Sequence, residues 1–198
     1  MSLHVRNLLD RISALEQELS IELHNRDQRM GYRSIGSRAE LSAATRQAHR
    51  AQRMSAWRWL AGVPLKSFLV LPFIYGMSIA LVFLDLSITL YQAICFPIYG
   101  IAKVRRHDYL AMDRHHLDYL NAFEKIHCAY CSYATGLLAY SREIAARTEQ
   151  YFCPIKHSRH VPGTHARYAR FLDYGDPVEF HARAERLRRE LAAERARR

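Results

Sequence analysis

Residues 66–103 read KSFLVLPFIYGMSIALVFLDLSITLYQAICFPIYGIAK, and the 36 residues between the two lysines carry one formal charge, Asp85. About 20 apolar residues let one helix cross the hydrocarbon of a bilayer. This run therefore sets the expected fold class as all-α, a membrane-embedded or monotopic helical protein. Pro72 and Pro97 bracket a helical core, residues 73–96, long enough to span with some tilt. A re-entrant hairpin is the second reading. Arg50, Arg53, Arg58 and Lys66 precede the run and Lys103, Arg105 and Arg106 follow it, whereas a single span biases its positive charge to the cytoplasmic side. Against the hairpin, no Gly-Pro turn marks its middle, and about 18 residues per arm only just cross. An ionised carboxylate at mid-membrane is costly. Asp85 is thus a proton or ligand site, or it caps a broken helix or pairs with Arg or His of a neighbouring helix, and either role implies a bundle or an oligomer.

Working outward, the run divides the chain into an amphipathic and basic helical region (1–63), the membrane segment (64–105), a Cys/His-containing helical region (106–161) and a charged carboxyl-terminal helix (162–198). Leu8, Ile12, Leu15, Leu19 and Leu23 recur at spacings of three and four, which predicts an amphipathic first helix packed against its own domain or, over about three heptads, against a coiled-coil partner. Gly31 to Gly36 punctuates the chain, and residues 37–56 read as a second helix rich in arginine. Trp57 and Trp59 beside arginines, just before the apolar run, have the composition of a membrane interface.

The chain has 198 residues with 29 Lys plus Arg against 19 Asp plus Glu, a net charge of +10 that favours an anionic partner. With the apolar run present, that partner is the lipid bilayer. Nucleic acid is disfavoured, because Glu185, Glu190 and Glu194 interrupt the arginines of the carboxyl-terminal helix. The charged amphipathic amino terminus does not read as a cleavable signal peptide, so the four cysteines are expected to be reduced, on a cytoplasmic face.

The sharpest chemical signal follows the apolar run. Residues 113–131, DRHHLDYLNAFEKIHCAYC, contain no helix breaker and read as one helix, on which Glu124, His127, Cys128 and Cys131 share a face at i, i+3, i+4 and i+7. Thiolate with imidazole is a zinc or iron ligand set. Cys153 and His157 complete a Cys3His set with Cys128 and Cys131, provided that the chain bends. A straight helix separates Cys131 from Cys153 by roughly 30 Å, and Gly136 offers the break. Otherwise the site is shared between subunits, or completed by Asp113, His115 or His116. Asp113-x-x-His116 and Glu124-x-x-His127 also resemble the carboxylate-histidine pairs of di-iron bundles, with Glu143 and Glu149 as the remaining carboxylates. Elsewhere in that stretch Arg142, Glu143, Arg147 and Glu149 read as solvated or mutually paired surface charge.

Residues 128–157, CAYCSYATGLLAYSREIAARTEQYFCPIKH, resemble a segment of bacterial membrane-associated proteins of about this size. The resemblance covers under a third of the chain. It implies a bacterial source and a membrane-associated family, and it transfers no catalytic residue. The expected location is the bacterial inner membrane, with most of the chain on the cytoplasmic side. No Gly-rich phosphate loop, nucleotide fingerprint or Ser-His-Asp order is present. The functional expectation is a metal-binding accessory or structural protein, a homo-oligomer or a subunit of a larger membrane assembly. The alternatives are a thiol-disulfide oxidoreductase working through Cys128 and Cys131 with Cys153 as resolving thiol, and an interaction subunit without chemistry.

Overall fold

A computed structural model describes residues 3–29, 32–35 and 38–196. Helix dominates: α1 (Leu3–Arg29), α2 (Ala43–Ala51), α3 (Ala56–Gly62), α4 (Leu65–Ile98), α5 (Ala122–Phe152) and α6 (Phe180–Ala196). A short antiparallel hairpin of β1 (Tyr32–Ile35) and β2 (Arg38–Leu41), with Tyr32 opposite Leu41, is the exception to an all-helical chain.

The chain forms two compact units. The first comprises residues up to 58 together with 116–122. The single helix expected over residues 37–56 is replaced here by β2 and the nine-residue α2. Ser42 sets the boundary, because its Oγ accepts the Thr45 N–H at 3.1 Å and caps α2. Arg50 of α2 lies 3.7 Å from Asp118, and His49 packs edge-on against Tyr119. Along α1, Ile12, Leu15, Leu19 and Leu23 are all exposed, so this stripe is not buried against its own domain. The side chain of Leu8 lies outside the described residues.

The second unit comprises residues 59–115 and 123–198. Its axis is α4, 34 residues long, or about 51 Å at 1.5 Å per residue. The helix is unbroken and runs through Pro72 and Pro97. It therefore starts well before the expected core, and the folded-back hairpin is not found. Gly100 ends it with φ +68°, while the Ile101 N–H reaches back to the Phe96 carbonyl at 2.8 Å, a Schellman-type cap that needs a left-handed residue.

A strap, residues 101–115, doubles back along α4, from Val104 at Gln92 to Arg106 at Asp85. Contacts between α4 and α5 advance in step, from Ile74 with Tyr130 to Tyr91 with Thr148, so the two helices run parallel. Residues 113–121, read as the first turns of a long helix, hold one short 3-10 turn, Arg114–His116. Ile101, Val104, Leu81, Phe96, Leu137, Tyr140, Ile144 and Leu191 form the core between strap, α4, α5 and α6. The carboxyl-terminal helix is less solvated than its charge suggests, since Ala184, Leu187 and Leu191 bury one face.

Candidate functional site

The two sides of α4 differ completely. Leu71, Tyr75, Ser78, Leu81, Asp85, Ile88, Gln92 and Phe96 recur every three or four residues, and all are buried or half-buried. The opposite side is bare along its whole length. Leu65 is 82% exposed, Ile79 78%, Phe83 73%, Leu90 60% and Ile94 53%. Fourteen large apolar side chains of this one helix are exposed, far more than the scattered apolar residues of an ordinary soluble surface.

On the packed side, two polar residues fasten the strap. Gln92 is buried, its Oε1 accepts the Val104 N–H at 2.6 Å, and its amide donates to the Val104 carbonyl at 3.3 Å and to the Tyr140 hydroxyl at 2.8 Å. One side chain thus does for Val104 what a neighbouring β-strand would do. Seven residues along, Asp85 takes a forked pair of hydrogen bonds from Arg106, the outer one at 2.7 Å, and accepts the Tyr133 hydroxyl at 2.9 Å. Of the roles expected for Asp85, ion pairing is the one that the geometry supports, with the partner, Arg106, opening a short 3-10 turn of the strap.

Nearer the start of α4, Trp59 stacks on Phe123 at 5.9 Å, and Trp59 and Tyr75 each lie 5.8 Å from the ring of His127. The His127 Nδ1–H donates to the Phe123 carbonyl at 2.7 Å. His127 is thereby held in an aromatic setting, next in sequence to half-buried Cys128 and on the same helix face as exposed Cys131.

The four-ligand metal set is not brought together. α5 is one straight-through helix of 31 residues, and Cys153 follows its last residue. Cys131 and Cys153 are therefore about 33 Å apart along the axis. Gly136 does not break the helix: a Cβ there would stand 2.7 Å from the Tyr109 carbonyl oxygen and 3.0 Å from Leu110 Cα. The glycine is the notch through which the strap passes. His157 lies on the far loop, its ring stacked on Tyr168. Among the described residues no three His, Cys, Asp or Glu side chains gather as a metal would require. Of the residues of the di-iron alternative, Asp113 precedes the 3-10 turn, Glu143 pairs with Arg147 and Arg167, and Glu149 with His165 at 2.8 Å.

The sequence reading missed the most extensive polar cluster. Arg147, 2% exposed, pairs with Glu143 and donates to the Ala102 carbonyl. Arg167 bonds Glu143, Gln150 and Glu194 at once. Burial pushes the Glu194 carboxyl up, but the Arg167 hydrogen bond and the charges of Arg167, Arg147 and Arg170 outweigh it and hold Glu194 below its ordinary value of 4.5. The cluster ties α5, α6 and the loop between them. An open cleft of about 630 Å³ is lined by Ile155, Leu172, Asp173, Asp176, Phe180 and His181 among others. Its aspartates are already engaged, Asp173 by Lys156 at 2.7 Å and Asp176 by Arg183 at 2.6 Å.

No protein-family model matches the chain, and neither a curated protein nor a solved structure is detectably similar to it.

Proposed function

We propose that the protein is monotopic, with α4 lying along a bilayer interface on its bare face and holding the strap, α5 and α6 on the aqueous side. The observation that carries this reading is the two-sidedness of α4. A spanning orientation would take the irregular backbone of residues 101–105 and the charges of Arg105, Arg106 and Asp108 to the hydrocarbon depth of Asp85. Backbone there has no water to satisfy it, and ionised side chains are costly. Lying in the plane keeps these groups wet and buries the apolar side of the helix by roughly 5–10 Å. The protein then acts as an accessory or scaffold component presented on the membrane surface.

The test is flotation of the purified full chain with phosphatidylcholine vesicles, alongside a variant carrying Ile79→Ser, Phe83→Ser and Leu90→Ser. The wild type is expected to float, and the variant to stay in the dense fraction with an unchanged helical circular dichroism signal. Wild-type protein that stays in the dense fraction would overturn the proposal.

A further inference from the structure

We infer that the membrane surface this protein recognises is anionic, read by cations beside α4. The inference rests on the interfacial reading of that helix. Lys66 is exposed in the first turn of α4. At the other half of the helix the strap exposes Arg105, flanked by Val104 and Arg106, which are fastened to Gln92 and Asp85. The cation therefore sits alongside the apolar helix and not at a remote point.

Acidity is sparse along the same stretch. Between residues 65 and 108 the chain has two carboxylates: Arg106 neutralises Asp85 with a forked pair of hydrogen bonds, and Asp108 lies 3.0 Å from His107. What remains is an apolar helix with net positive charge beside it. Lysine and arginine can lay their aliphatic stems along apolar surface and hold their charged heads at headgroup level. The combination fits lipid better than nucleic acid, because a phosphate backbone offers nothing to cover fourteen exposed apolar side chains. The net charge of +10 adds a longer-range attraction of the same sign.

Each cation near an anionic leaflet strengthens partitioning about five-fold, and salt screens the effect. The experiment measures partitioning of the full chain into vesicles of phosphatidylcholine alone and of phosphatidylcholine mixed with phosphatidylglycerol. Partitioning is expected to rise with the anionic fraction and to fall with added salt. The double variant Lys66→Gln, Arg105→Gln should bind the mixed vesicles roughly twenty-five-fold more weakly and the neutral ones unchanged. Equal wild-type binding to both vesicles would overturn the inference and leave the interfacial helix standing. Binding to neither would remove both. A variant that loses as much on neutral vesicles would show the cations to be structural, and would also overturn the inference.

Discussion

Gln92→Leu is the substitution that probes most deeply how an apolar helix holds a polar strap. The amide is the hydrogen-bond partner of the Val104 N–H, the Val104 carbonyl and the Tyr140 hydroxyl, and Val104 and Tyr140 are 4% and 2% exposed. Leucine fits the space but satisfies none of the three. A buried polar group left without its partner costs about 1–3 kcal/mol. Some of that is recovered when the strap loosens and admits water, which sets the expected loss at about 3 kcal/mol for the three groups together. At 1.4 kcal/mol per factor of ten, the Val104 amide should exchange with solvent deuterium roughly 100-fold faster. Hydrogen exchange followed by mass spectrometry on the detergent-solubilised protein reads this directly, with denaturant unfolding as the second measurement. Protection at Val104 equal to that of the wild type, with stability unchanged within about 0.5 kcal/mol, would refute the claim that Gln92 fastens the strap.

Gly136→Ala separates a notch from a hinge by sign. An alanine gains about 1 kcal/mol of helix propensity, but its methyl must displace backbone atoms of Tyr109 and Leu110, an overpacking cost of about 1–3 kcal/mol. Net destabilisation in a melt is expected, and a stabilised variant contradicts the packing. Glu194 has a folded-state pKa below 4.5, so its contribution is complete above that value and is lost as pH falls through the folded pKa. Glu194→Gln should therefore lower stability at neutral pH and flatten the acid side of the stability profile, while a parallel downward shift at every pH would count against the Arg167 pairing. Short bis-maleimide reagents should link Cys128 to Cys131 but never Cys131 to Cys153 within one chain, as peptide mapping would reveal. An intrachain Cys131–Cys153 link would mean that α5 bends.

Much of this architecture was written in the apolar run, because length and hydropathy alone dictate a long helix there. The ambiguity of its two basic flanks was also a property of the sequence. What local patterns do not encode is that the strap folds back, which brings Arg105 and Arg106 alongside the helix whose end they follow. Asp85 was recognisable as a residue in need of a partner, yet that partner, Arg106, stands 21 residues away in a segment without periodicity. Residues 113–121 lack breakers and still form no long helix, since long-range packing overrides weak propensities. The face shared by His127, Cys128 and Cys131 was legible from spacing. The bend needed to bring in Cys153 was inferred from Gly136, whose real constraint is a close approach by distant backbone. Arg147 and Glu143 read as surface charge because Arg167 and Glu194, which complete their cluster, come from other elements.

The central claim, that α4 lies in the membrane plane, is tested most directly by depth. Spin labels at Leu65, Phe83 and Ile94, placed one at a time in a chain with its native cysteines replaced, sample one exposed side of the helix over 29 residues, or about 43 Å. Power-saturation measurements in vesicles should give three similar, shallow depths. A buried Phe83 label with the Leu65 and Ile94 labels near opposite surfaces would mean that α4 crosses the bilayer, and would contradict the account.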